Sequence, residues 1–121
     1  MTLFERLLVA HLVADWLLQT EWQALNKDRD FRALFSHIGV YSLVMLGVLV
    51  AQFGFRNGVV YLVVGMIALT HGFIDRRKPV IWFMKTFRLI VKRPSNPVLV
   101  LAVDQTFHIL VLAIAVLILS G

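Results

Sequence analysis

VLVLAVDQTFHILVLAIAVLILS, residues 98–120, holds a single charged side chain, Asp104, in 23 positions. A helix needs about 20 predominantly apolar residues to cross a hydrocarbon core, so this stretch decides the fold class: an all-α membrane protein. It also carries the chain's main puzzle. Asp104 and His108 are four residues apart, a spacing that puts both on one helix face, one turn from each other. Ionisable groups are costly in lipid and need a physical reason to be there.

Three further apolar stretches read the same way, roughly Leu3–Thr20, Ala33–Phe55 and Val59–Ile74. The expectation is one domain, residues 1–121, of four transmembrane helices. The chain is 60% hydrophobic and only 16% charged, below the charged share of soluble domains. The first stretch is read as a retained helix rather than a signal peptide. It opens with Glu5 and Arg6, contains His11 and Asp15, and is followed by no small-residue cleavage site. Cysteine is absent, which excludes disulfides, thiolate metal ligands and cysteine nucleophiles.

The formal charge of +5 is unevenly placed. Lys27, Arg29 and Arg32 fall between stretches one and two, and Arg76, Arg77, Lys78, Lys85, Arg88, Lys92 and Arg93 between three and four; only Arg6 and Arg56 remain for the other side. The positive-inside rule then makes both basic loops cytoplasmic and both termini external. Basic residues so placed set orientation and contact anionic lipid headgroups; without aromatic stacking platforms they do not read as a nucleic-acid surface. Trp16, Trp22 and Trp82 fall on the same side, as an interfacial aromatic belt.

Between the crossings, Glu21–Arg32 reads as a polar loop and Arg56-Asn57-Gly58 as a tight turn joining an antiparallel helix pair. Gly47, Ala51 and Gly54 on one helix, and Gly65, Ala68 and Gly72 on the next, read as close-packing stripes within that pair. From Pro79 to Pro97 bulky apolar residues alternate with Lys85, Arg88 and Lys92, the pattern of an amphipathic helix lying in the headgroup region between helices three and four. Gln52 fits none of the polar patterns and reads as a packing hydrogen bonder.

Three of the four histidines have an aspartate four residues away: His11 with Asp15, His71 with Asp75, and His108 with Asp104. His37 stands alone near the start of helix two. Given the topology, all seven groups fall in the cytoplasmic half of the bilayer, Asp15 roughly 8 Å from the inner end of helix one, and in each pair the histidine is the deeper member. Helical bundles bring such ligands together on their axis. His11, Asp15, His71, Asp75, Asp104 and His108 are therefore the expected ligands of one or two divalent ions, two if an aspartate bridges. Nitrogen and oxygen donors suit Zn, Mn or Fe. Gln19 and Gln105 are placed to hydrogen-bond the ligands.

The motifs His11-x-x-x-Asp15-x-x-x-Gln19, Trp22, Lys27, His37, His71-x-x-Ile74-Asp75-x-x-Lys78 and Asp104-Gln105-x-x-His108 together resemble the bacterial membrane family catalogued as domain of unknown function 3307. The resemblance covers nearly the whole chain and implies a multi-pass protein of the inner (cytoplasmic) membrane, without implying a reaction. From the residues, the leading expectation is a metal-dependent hydrolase acting on a lipid or a membrane-delivered ester or phosphoester, with His37 or a free aspartate as general base. Ser36 is no serine nucleophile to His37, because adjacent residues on a helix do not face each other. The alternative is a non-enzymatic metal-binding or ion- or proton-transport subunit; a haem carrier is a third, less suited to carboxylates one turn from each histidine. Four helices bury little area, which leaves room for a homo-oligomer.

Overall fold

The computed structural model describes residues 1–87 and 96–121, and every regular element in them is helical. Helix α1 spans Leu3–Leu12. It starts at a capping box in which the Thr2 hydroxyl accepts from the Glu5 amide at 3.2 Å and the Glu5 carboxylate accepts from the Thr2 amide at 2.7 Å. It runs on as a π-helical turn, Val13–Leu17, closed by the Leu18 amide on the Val13 carbonyl at 2.9 Å. A second capping box, Thr20 with Gln23, opens the short helix α2, Glu21–Asn26. Asp30 caps α3, Phe31–Phe53, and Asn57 caps α4, Gly58–Asp75. Helix α5, Lys78–Thr86, and α6, Pro97–Ser120, both carry proline in the first turn, where its missing N–H costs nothing.

Three of these helices, α3, α4 and α6, are long and apolar enough to cross a membrane. The first segment is shorter than the sequence suggested. Its helix ends at Leu17 because Thr20 must be extended, at φ −74° and ψ 158°, to cap α2. Glu21–Arg32, expected as a loop, accordingly contains α2. Asp104 lies in the second turn of α6, whose cap is Asn96. The interfacial helix expected over Pro79–Pro97 is described only as α5, with Val80 and Met84 buried and Trp82 exposed; Arg88 and Lys92 of its basic stripe lie outside the described residues.

The centre of the bundle is built from Leu7, Ala10 and Ala14 of the first segment, Tyr41, Met45 and Leu49 of α3, Val60, Val63 and Ile67 of α4, and Leu112 and Ala115 of α6. Helix α5 is held against α6 by Val80, Met84 and an edge-to-face contact of Phe83 with Phe107 at 5.1 Å. The outside is as apolar as the core: Leu43, Leu62, Leu69 and Leu117 are each 69–78% exposed. Buried polar groups inside and leucine outside is the distribution expected where lipid is the solvent.

The small-residue stripes behave differently from expectation. A Cβ on Gly72 would stand 2.6 Å from Ile38 Cδ1, so α3 and α4 do approach there. Gly47 and Gly65 face open space, and Gly54 ends α3 at φ 81°.

Candidate metal centre

One end of the bundle collects the ionisable residues. The π-helical turn presents Asp15, the first two turns of α3 present His37, the last turns of α4 present His71 and Asp75, and α6 presents Asp104 and His108. Each is at most 9% exposed. Four atoms form the inner group: Asp15 Oδ1, His37 Nε2, His71 Nε2 and Asp75 Oδ2. His37 Nε2 lies 2.9 Å from Asp15 Oδ1, 2.9 Å from His71 Nε2 and 3.2 Å from Asp75 Oδ2. His71 Nε2 lies 3.0 Å from Asp75 Oδ2 and 3.8 Å from Asp15 Oδ1. Ligands at 2.0–2.1 Å around a tetrahedral ion are about 3.3 Å apart, and these spacings scatter about that value.

Hydrogen bonding alone does not account for such crowding. A single Nε2–H points in one direction, yet His37 Nε2 has three electron-rich neighbours within 3.2 Å. Among the described residues, Asp15 Oδ1, both oxygens of Asp75 and His108 Nε2 are buried without a hydrogen-bond partner. Buried polar atoms are nearly always satisfied, and lone pairs converging on one point are what a cation satisfies.

A second group shares Asp75. Single ligand atoms of Asp75, Asp104 and His108 lie within 4.8 Å of one another, and His108 Nε2 is 3.3 Å from Asp75 Oδ1. His108 Nδ1 lies 2.8 Å from the Asp104 carbonyl. Donation there leaves the Nε2 lone pair free to ligate.

His11, expected as a ligand, belongs to neither group. Its Nδ1 is 2.6 Å from the Tyr41 hydroxyl and its Nε2 2.7 Å from Gln105 Oε1. The chain of donors is consistent in direction: Tyr41 O–H to His11, His11 N–H to the Gln105 carbonyl, and the Gln105 amide at 3.2 Å to both Asp15 Oδ2 and Asp104 Oδ2. Gln105 thus does the orienting expected of it. Gln19 instead donates to the Asp15 backbone carbonyl at 3.0 Å. Tyr41 also stacks on His71, ring centres 3.8 Å apart, and so fixes that imidazole from the core side.

Lys27, read from sequence as a marker of orientation and as one of the residues carrying the family resemblance, is buried in the site. Its Nζ lies 3.1 Å from Asp75 Oδ2 and 3.6 Å from Asp15 Oδ1. It gets there because α2 turns the chain back across the end of the bundle, with Gln23 anchored to Ser36 Oγ at 3.1 Å. Ser36 is occupied by that contact and by donation to the Ala33 carbonyl at 3.0 Å. Beside Lys27 opens a cleft of about 260 Å³, whose lining includes Asp15, Trp16, Lys27, Asp75, Arg77 and Asp104. Arg77 reaches it from a left-handed backbone conformation at φ 62°, one of the sparsely populated states that cluster at functional sites. Gln52, at the far end, accepts from Arg6 Nη1 at 3.0 Å and takes no part in the site.

No curated protein and no solved structure matches the chain. The family described as "Protein of unknown function (DUF3307)" matches residues 3–120. That match takes in all four histidines and every carboxylate of the site, and the chain belongs to this family.

Proposed function

We propose that the cluster is a divalent-metal centre and that the protein is a membrane-embedded, metal-dependent hydrolase of a lipid or a membrane-delivered ester or phosphoester. The observation that carries the metal reading is the convergence of Asp15 Oδ1, His37 Nε2, His71 Nε2 and Asp75 Oδ2 within 4.8 Å of one another, with three of the site's carboxylate oxygens lacking a hydrogen bond among the described residues. Zn, Mn and Fe all accept this donor set. His37 then serves as a ligand, in place of the general-base role its isolated position in the sequence suggested.

Hydrolysis is supported by what surrounds the centre. A bound divalent ion lowers the pKa of a water and polarises the scissile bond. Lys27 and Arg77 in the adjoining cleft are placed to hold an anionic group or the negative charge that develops on a carbonyl or phosphoryl oxygen. The hydroxyl of water joins the acyl or phosphoryl group, and its remaining proton goes to the leaving alcohol oxygen. Trp16 and Leu101, both exposed on the rim, give the cleft an apolar lip suited to a substrate anchored in lipid.

In this reading the first segment is the fourth crossing. Its 15 helical residues, from Leu3 to Leu17, cover about 22 Å, short of a hydrocarbon core of about 30 Å. Local thinning accommodates such a mismatch and brings Asp15 close to the headgroups. The alternative of an ion or proton pathway has less support, because Leu7, Met45, Leu49, Val60, Val63 and Leu112 fill the bundle beyond Tyr41 with apolar side chains.

Purified protein in detergent should contain bound transition metal, and Asp75→Asn should lose it. Hydrolysis of p-nitrophenyl phosphate or p-nitrophenyl butyrate in mixed micelles should stop on chelation and return with metal. Protein that neither contains metal nor gains thermal stability from added Zn²⁺ or Mn²⁺ would refute the metal centre; metal without turnover would leave a binding protein.

A further inference from the structure

We infer that the centre is binuclear: an inner ion held by four protein ligands and an outer ion held by three, bridged by the Asp75 carboxylate. The inference rests on the metal reading above and adds the number of ions, the ligands of each and which of them meets substrate.

The two oxygens of Asp75 face different ligand groups. Oδ2 lies 3.0 Å from His71 Nε2 and 3.2 Å from His37 Nε2, whereas Oδ1 lies 3.3 Å from His108 Nε2 on another helix. Both oxygens are buried and neither has a hydrogen-bond partner among the described residues, and the same holds for His108 Nε2. A single ion on the Oδ2 side leaves Oδ1 and His108 Nε2 unsatisfied, in a residue only 1% exposed. A second ion satisfies both and takes Asp104 as its third protein ligand, the three residues being within mutual reach.

The positions differ in the number of their protein ligands. Each group reaches the cleft through carboxylates, Asp15 and Asp75 for the inner and Asp75 and Asp104 for the outer, and His37, His71 and His108 do not line it. Four protein ligands make a closed site; three leave a coordination position for water or substrate, the distinction that separates structural from catalytic sites. Carboxylate-bridged pairs in hydrolytic sites stand about 3.5–4 Å apart, a separation that suits a clamp on both oxygens of one scissile group. Gln105 ties the two positions together, one amide reaching Asp15 of the inner group and Asp104 of the outer at 3.2 Å each.

Loading the purified full chain with Mn²⁺ tests this by stoichiometry and spin coupling. The wild type should hold two Mn²⁺ per chain, with the broadened, exchange-coupled resonance of a close pair. Asp104→Asn and His108→Gln should each hold one, with the simple six-line pattern of an isolated ion and without turnover. Should either variant not fold, the wild-type count and spectrum still decide. One ion per wild-type chain, or two without coupling, would overturn the binuclear assignment while leaving the metal centre standing, as would Asp104→Asn retaining a coupled pair. No bound ion at all would sink both.

Discussion

At the scale of single residues, Lys27 is the group on which metal-free and metal-loaded states turn. Its ammonium approaches oxygens of Asp75 and Asp15 that belong to the inner ligand group, and its side chain is only 9% exposed. It is therefore a tethered cation on the acceptors that a bound ion would use. Removing one member of a buried ion pair costs about 3–5 kcal/mol, because the partner charge stays buried. Metal-free Lys27→Met should melt well below metal-free wild type in detergent, and added Zn²⁺ should raise its melting temperature by more than it raises that of wild type. An equal rise in both would show that lysine and ion do not share the carboxylates. Sequence reasoning reached His71, Asp75, Asp104, His108 and Asp15 through their i,i+4 spacing, and Gln105 through its place beside Asp104. It quoted Lys27 in the family motif but gave it no place in the site, because a lysine in a basic loop looks the same whether it faces solvent or folds inward. Tyr41 did carry a signal, standing one turn from His37 on the same face of an apolar run. His11 has the same spacing signature as the proposed ligands; its two hydrogen bonds distinguish it.

At the scale of elements, helix ends were written in the chain more clearly than helix contacts. Thr2 with Glu5 and Thr20 with Gln23 both fit the capping-box spacing, and heeding the second would have replaced the expected loop by α2. The π-helical turn has no such signature, since its residues are ordinary helix formers and the extra residue shows only in the i→i+5 bond from Leu18 to Val13. Yet that turn carries Asp15, in keeping with the frequency of π-bulges at functional sites. Small residues misled for a related reason: glycine permits close approach without enforcing it. Gly54 has a conformational role instead. At φ 81° and ψ 155° it ends α3 in a region open essentially to glycine alone, and its carbonyl accepts from the Asn57 amide at 3.5 Å in the turn to α4. Gly54→Ala should destabilise the helix pair by about 1–3 kcal/mol, while Gly47→Ala, with open space at its Cβ, should change the melting temperature little. Thermal unfolding of the two variants side by side checks the contrast.

At the scale of the whole molecule, the chain's apolar runs and its period of 3.6 residues were enough to bring the polar groups to one end of a bundle. The length of the first segment was not legible, because apolar character continues through Leu18 while the helix does not. Two contacts nevertheless fix its course. Arg6 bonds Gln52 near the end of α3, and Asp15 meets His37 near its start, so the first segment runs antiparallel to α3 along much of its length. We propose that the first segment, short as it is, crosses the bilayer together with α3. The absence of native cysteine makes this directly measurable, since each single-cysteine variant carries one thiol. With a membrane-impermeant maleimide, Thr2→Cys, Arg56→Cys and Gly121→Cys should label in intact cells, whereas Arg29→Cys and Lys85→Cys should label only after lysis. All five positions are exposed and outside the metal centre. Labelling of Thr2→Cys only after lysis, with Arg56→Cys still reactive in intact cells, would leave three crossings and a first segment that does not span. Reversal of all five would keep four crossings and invert the protein, placing the cleft and its basic rim on the external face, against the ten-to-two distribution of Lys and Arg that the positive-inside rule reads.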